Sequence, residues 1–454
     1  MAIATTNPAT EELIKEYSEI SEEDLQQKIE LSKKAFATWK DSSCEERNRL
    51  LTNLADILIE RKEELAKSAT LEIGQPIKSV YSEIEKSSLL ARYYEGNISE
   101  FLKDEVIETE AMASYVKYEP LGTILGIAPW NFPFWMAFRF IIPTISAGNT
   151  VLLKHSSNVP QSALLIEEVM TQAGFPKGVF QTLLVSSGRV ESIIRDPRVN
   201  GVSFSGSENA GSKVSAIAGS EIKKSLLELG GSDAFIILKD ADIESTVNTL
   251  VDNRLRNAGQ ACNSPKRVFV QEDIYTQFIK LAKERLAKVK MGDPFDLTTE
   301  IGPVATEQGL NEVQRQVLES IEKGAKLEVG GNRAKGKGYF FEPTIVSNVR
   351  PGMPLFDEEV FGPVLAVCKF TTMQEAIELA NNTKYGLGAS IWTKDINYAK
   401  QFIPKFEVAN VFINQPVRSD PRLPYGGIKR SGFGRELSYF GIREFTNIKT
   451  VVIK

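Results

Sequence analysis

Thr150-Val151-Leu152-Leu153-Lys154 is a short apolar run that ends on a cation. A helical pattern over 163–173 follows it and is closed by Gly174 and then Pro176, residues that stop a helix with a left-handed turn and a missing backbone donor. Gly122-Thr123-Ile124-Leu125-Gly126-Ile127 is a run of the same kind upstream, and 179–185, 202–204, 225–229 and 235–238 repeat it downstream. Strand-length runs alternating with helices call for a parallel, doubly wound α/β sheet, because a parallel crossover needs a helix to carry the chain back. A second α/β series is expected farther on, with strands at 267–270, 341–346 and 364–370 and helices at 275–290 and 310–323. Ahead of both series, 22–40 and 45–70 read as amphipathic helices, with Leu50, Leu54, Ile57, Leu58 and Leu65 at helical spacing. Gly230-Gly231, where the chain can turn sharply, marks the expected boundary between the two series.

The 454 residues are 42% hydrophobic and 25% charged, with a net charge of −5. That is an ordinary globular balance with room for two or three domains. No basic cluster has the density that nucleic-acid binding needs. Residues 1–12 are polar and do not read as a secretory signal. The apolar stretch 132–145 holds Arg139 and two prolines and is too short to span a bilayer, so it reads as a buried helix. His155 is the single histidine, which excludes a multi-histidine metal site and disfavours a histidine-assisted nucleophile. Cys44, Cys262 and Cys368 are far apart and odd in number. They form no disulfide framework and suit a reducing, cytoplasmic setting.

Chemistry then falls to a thiol and a carboxylate. Cys262 ends Asn257-Ala258-Gly259-Gln260-Ala261-Cys262, and Glu228 stands between two leucines in Leu227-Glu228-Leu229-Gly230-Gly231. A carboxyl group at the end of an apolar strand is raised by desolvation and can serve as a base near neutral pH. A small buried hydrophobe is the plain alternative for Cys262. Gly206-Ser207, between a strand and a helix, with Gly211 four residues on, gives a turn where free N–H groups favour phosphate. Lys154 closes a strand, where doubly wound sheets face their ligand; a solvated strand-end lysine is the alternative.

These residues belong to an ordered set: Pro129-Trp130-Asn131-Phe132-Pro133, Leu153-Lys154, Gly206-Ser207…Gly211, Leu227-Glu228-Leu229-Gly230-Gly231, Gly259-Gln260-Ala261-Cys262, Glu358-Glu359-Val360-Phe361-Gly362-Pro363 and Gly434-Arg435-Glu436. With them the chain resembles the aldehyde dehydrogenase superfamily. Leu226 to Asp233 and Lys429 to Ser438 look like its bacterial-type NAD(P)-dependent succinate-semialdehyde branch. The resemblance implies an α/β aldehyde-dehydrogenase fold. Its Rossmann-like dinucleotide-binding domain would be built from 1–110 and 121–230, with a catalytic thiol domain at 231–430. An oligomerisation flap at 111–120 and a C-terminal strand within 440–454 would make a homo-dimer or homo-tetramer. The resemblance also implies that Cys262 attacks an aldehyde, that Asn131 and the Cys262 backbone N–H hold the oxyanion, and that Glu228 activates water. Glu359 would hold the nicotinamide ribose with Phe361 beside the ring. Lys154 would bind the adenosine ribose, and Trp130, Gly206, Ser207 and Gly211 would border the dinucleotide.

Two positions depart from the family pattern. Where many NAD-specific members carry a glutamate that binds the ribose 2′-hydroxyl, this chain has Ser157. A serine beside a lysine tolerates a 2′-phosphate that a carboxylate repels, so NADP is expected in preference to NAD. At the position of the lysine that relays protons from the base stands Phe140; Glu436 is kept, so the relay is expected to be incomplete. For the substrate, the resemblance implies that Arg139 and Arg256 clamp a distal carboxylate, with Ser419 adding a hydroxyl. The alternatives are an internal Arg139–glutamate pair and a surface salt bridge for Arg256. The expected reaction is oxidation of succinate semialdehyde, or a similar small carboxylated aldehyde, through a cysteine thioester. The rival is a coenzyme A-acylating enzyme that runs as a succinyl-CoA reductase with NADPH.

Overall fold

The computed structural model describes residues 3–454. Two sheets organise the chain. The first runs, in spatial order, Gly432–Phe433, Lys224–Glu228, Val199–Ser205, Thr123–Ala128, Thr150–His155 and Phe180–Thr182. Its neighbours are parallel except at the Gly432–Phe433 edge. The second runs Lys326–Val329, Thr344–Ser347, Val364–Phe370, Pro265–Gln271, Asp233–Ile237, Gly388–Trp392 and Asn410–Ile413, again parallel except at its first edge. Strand Thr150–His155 is buried along its whole length, as a parallel strand covered on both faces must be.

The chain passes from one sheet to the other between Glu228 and Asp233. Gly230 and Gly231 are required there by close approach. A Cβ on Gly230 would lie 2.1 Å from a Glu359 carboxylate oxygen, and one on Gly231 would lie 2.9 Å from the Cys262 carbonyl. The two glycines therefore let the base-bearing strand, the thiol loop and Glu359 converge.

Helix Pro133–Ser146 is buried at every residue. Proline takes its first helical position, where the missing N–H costs nothing. The buried Glu83 carboxylate accepts from the Phe134 and Trp135 N–H groups at 2.8 and 2.9 Å, satisfying two of the donors that a helix start leaves open. The expected helix over 45–70 is two helices, Cys44–Glu60 and Lys62–Ile73, broken at Arg61, which leaves helical geometry (φ −92°, ψ 11°) and pairs with Glu64 and Glu168. Helix Ile77–Glu95 went unread because its buried face carries Glu83, Ser87 and Ser88, which blur the apolar period. A third sheet pairs Thr446–Ile453 with Ala113–Pro120 and then Glu105–Val106, all antiparallel. It leaves Val106, Ile448, Val452 and Ile453 exposed. Among the described residues no helix is long and apolar enough to cross a membrane.

Candidate active site

Cys262 follows a backbone turn that most residues avoid. Asn257, Ala258 and Gly259 have φ of 49°, 52° and 77° in succession; each non-glycine residue so held costs on the order of 1–2 kcal/mol. The fully buried Arg254 offsets this strain. Its Nε donates to the Val364 carbonyl at 2.6 Å, Nη1 to the Gly259 carbonyl at 3.0 Å and to Ser264 Oγ at 2.9 Å, and Nη2 to the Val360 carbonyl at 3.0 Å. Asn257 Nδ2 donates to the Asn131 carbonyl at 2.6 Å, which ties the thiol loop to the start of the buried helix. Lys266 Nζ donates to the Ala261 and Cys262 carbonyls at 2.8 and 2.6 Å. Asn131 Nδ2 gives one hydrogen to the Gln260 carbonyl at 3.0 Å, and an amide nitrogen has a second to offer. Burial pushes the Cys262 thiol up, with Arg139 opposing and Glu228 reinforcing the shift, so its ionisation needs a proton acceptor.

Glu228 ends its strand facing the same cavity as Cys262. Its carboxyl is held above the usual carboxylate range by burial; Arg139 pulls it back down and Glu436 pushes it up. Arg139 Nη2 lies 3.2 Å from Glu228, and Arg139 Nε contacts the Glu436 carboxylate. Arg139, expected as part of the clamp, lines the substrate-side cavity. Its guanidinium also pairs with two carboxylates, the internal pairing given above as the alternative. Phe140 turns the other way: a Cβ on Gly126 would lie 2.3 Å from its ring, and it meets Phe445 edge-on at 6.0 Å. A cation does join Glu228 to Glu436, supplied one residue earlier by Arg139.

Two cavities meet at Cys262. One, of about 240 Å³, is lined by Trp130, Asn131, Gly206, Ser207, Glu228, Cys262, Glu359 and Phe361, among others. The Trp130 and Phe361 rings close it edge-to-face, with centroids 6.0 Å apart. Glu359 accepts from the Gly231 N–H at 3.0 Å and pairs with Lys266 at 3.1 Å. Pro129, Trp130, Gly206 and Ser207 also line a cleft of about 570 Å³ that contains Lys154. The pair of cavities thus runs along the carboxyl ends of the first sheet, the place where open α/β sheets bind dinucleotides. Lys154 is buried, its ammonium lowered mainly by desolvation, and no described carboxylate pairs with it. A buried cation without an anion fits a phosphorylated ribose. Ser207 caps helix Glu208–Ser220 through the Ala210 N–H. Two expected cofactor contacts sit differently. Ser156, not Ser157, lines the cleft, while the Ser157 carbonyl accepts from Ala4 N–H at 3.0 Å. Gly211 is outside the lining; a Cβ there would lie 2.4 Å from Leu229, so it sets helix–strand packing.

The second cavity, of about 140 Å³, lies on the other side of the thiol. Arg256, Ser419, Lys86, Arg418, Trp135 and Cys262 are among its lining residues. Arg256 donates to Asn263 Oδ1 at 3.2 Å and packs over the Phe132 ring at 5.1 Å. Lys86 donates to Ser419 Oγ at 2.8 Å and lies 4.0 Å over the Trp135 ring. Sequence reasoning missed Lys86; the signal was only a lysine on a polar helix. His155, beside Lys154, holds backbone: one ring nitrogen pairs with the Pro133 carbonyl and the other accepts from Ser156 N–H, both at 2.9 Å.

A dinucleotide-type cleft that leads to a thiol, with a buried carboxylate beside it, is the layout of a cofactor-dependent enzyme working through a covalent sulfur intermediate. The chain belongs to the aldehyde dehydrogenase family, which it matches over residues 1–451. It is 46% identical, over 456 residues and the full length of both chains, to succinate-semialdehyde dehydrogenase [NADP(+)] 1 of Mycobacterium tuberculosis. Among solved structures it is similar to succinic semialdehyde dehydrogenase of Streptococcus pyogenes in complex with NADP+ (TM-score 0.97, 36% identity, 99% of each chain). It is equally similar to Gox0499 (TM-score 0.98, 36% identity, 100% of each chain). The parallel sheets described above are the α/β fold that family shares.

Proposed function

We propose that the protein oxidises succinate semialdehyde, or a small aldehyde with a similar distal carboxylate, to the acid with NADP. The observation that carries this reading is the position of Cys262, which lines both the dinucleotide-side cavity and the cationic one. An aldehyde entering from the cationic side presents its carbonyl carbon to the thiol. The thiol releases its proton to water, the sulfur attacks that carbon, and the carbonyl electron pair moves onto oxygen, held by the second Asn131 N–H and the Cys262 backbone N–H. NADP, when bound in the cleft, supplies the acceptor for the hydride that leaves this carbon. The resulting thioester is opened by water, whose proton passes to Glu228; the carbon–sulfur bond breaks and the thiolate is restored. Lys154 would support the 2′-phosphate, and Glu359 and Phe361 would hold the nicotinamide end.

Glu228 on the thiol's cavity favours water over coenzyme A as the acyl acceptor. Glu228→Gln should keep a first, stoichiometric burst of reduced cofactor and lose the following turnover by about 10²–10⁴-fold. Equal loss of burst and turnover would reject Glu228 as the hydrolytic base, and consumption of succinyl-CoA with NADPH by the wild type would favour the acylating rival. The exposed apolar side chains of the third sheet support a homo-oligomer joined at that edge, and three free cysteines suit the cytoplasm.

A further inference from the structure

The cationic cavity has a charge imbalance that its own residues leave open. Arg139 is compensated by Glu228 and Glu436. Asp420 is paired with Arg422 at 2.8 Å. Glu83, one turn before Lys86 on the same helix, is turned to the Phe134 and Trp135 N–H groups, and burial pushes it up to about 7. Lys86, Arg256 and the solvent-exposed Arg418 remain; the first two each rest on an aromatic face and bond to a neutral oxygen. No described carboxylate lies within ion-pair distance of either, and Arg256 Nε has no partner. Two largely desolvated basic groups facing one small cavity favour an anion there.

Resting on the semialdehyde reading above, we propose that Lys86 is a specificity-determining residue: with Arg256 it grips the distal carboxylate of the aldehyde, and it takes up a proton as that carboxylate enters. The proton step follows from the surroundings of the amine. Desolvation, then Arg256, Arg139 and Arg418, push Lys86 down to about 7, against only Asp420. An entering carboxylate reverses that balance and favours the ammonium. Ser419 Oγ, which accepts from Lys86, fixes the nitrogen in the cavity.

The experiment compares wild type, Lys86→Met and Lys86→Arg with NADP, using succinate semialdehyde and butanal from about pH 6 to pH 9. Loss of a charge-assisted hydrogen bond should raise KM for the semialdehyde in Lys86→Met by about 10–100-fold. KM for butanal should stay within about twofold and kcat should change little. In the wild type KM for the semialdehyde should climb as pH passes above about 7. In Lys86→Arg, which stays charged, that climb should vanish. Calorimetry with succinate in buffers of different ionisation enthalpy should show proton uptake near pH 8 in the wild type and none in Lys86→Arg. Full preference for the semialdehyde in Lys86→Met, or an unchanged pH climb and proton uptake in Lys86→Arg, overturns the proposal alone. Equal kcat/KM for the two aldehydes in the wild type overturns the semialdehyde reading and the proposal together.

Discussion

Arg139 Nη2 lies 3.2 Å from a Glu228 carboxylate oxygen, and both side chains are almost wholly buried. The same guanidinium reaches Glu436, so one cation sits between two desolvated carboxylates. Arginine does not give up its proton in proteins. It can therefore bias Glu228 toward the ionised form and hold its orientation, but it cannot pass a proton along. Proton exit from Glu228 must then run through water or a change of partner.

Arg139→Met keeps the volume and removes the charge. Leaving buried carboxylates unpaired should cost about 3–5 kcal/mol, read by denaturant unfolding at neutral pH. The nearby positive charge lowers Glu228; its removal raises that carboxyl, so less is ionised at a given pH. The acidic limb of kcat should move to higher pH in Arg139→Met and stay near its place in Arg139→Lys. A limb that does not move in Arg139→Met would mean that Glu228 is not the group titrating in kcat.

Lys154 carries the cofactor preference if its buried ammonium meets a 2′-phosphate. Lys154→Met should lower kcat/KM with NADP by about 10–100-fold and with NAD far less. Ser157→Glu tests the neighbouring position: a carboxylate beside Lys154 should lower kcat/KM with NADP relative to NAD. Because Ser156 rather than Ser157 lines the cleft, the glutamate acts through its charge and its pairing with Lys154. A ratio unchanged by both variants would reject the placement of the 2′-phosphate here.

The alternation of strands and helices was legible because parallel strands buried on both faces are written as apolar runs; Val364–Phe370 is observed at the bounds its residues suggest. Cys262 and Glu228 were legible by residue type and local motif. Lys86 and the identity of the Arg139 partners were not, because the contacts arrive from far along the chain: Ser419, 333 residues away, for Lys86, and Glu436 for Arg139. Phe140 stands where the resemblance implies a lysine, but successive helix residues point about 100° apart, and it is the neighbouring Arg139 that faces Glu228 and Glu436. The strain at Ala258 leaves no mark in residue type, whereas Asn257 is of a type that enters the left-handed region more readily.

His155 should make the fold acid-sensitive through a group outside the reaction. Burial pushes it down to about 4, from an ordinary value of 6.5. A folded-state value below the unfolded one gives stability that is complete above about pH 6.5 and is lost as pH falls toward about 4. The loss is on the order of 3 kcal/mol. Unfolding free energy measured across that window should fall less steeply in His155→Gln than in the wild type. Parallel slopes would place the acid sensitivity elsewhere.

Gly259→Ala should act on the thiol without touching it. Gly259 has φ 77°, and a Cβ there would lie 2.1 Å from the Gly362 carbonyl oxygen and 2.8 Å from Arg254 Nη1. Neither is the loose end of an exposed side chain: one is backbone, and the other is a fully buried guanidinium that holds the turn. The methyl group must therefore displace either the strand entry at Val364 or the turn itself. Strain of about 1–3 kcal/mol at the residue is then joined by the loss of Arg254 hydrogen bonds. Because the same turn leads directly into Cys262, kcat should fall with the stability, and the rate of thiol alkylation by iodoacetamide should change. By contrast, Gly336, whose φ is 111° but whose Cβ would meet nothing within 4 Å, should tolerate alanine with only a backbone cost and unchanged kcat. Similar losses of kcat in the two variants would show that the turn geometry does not position the thiol.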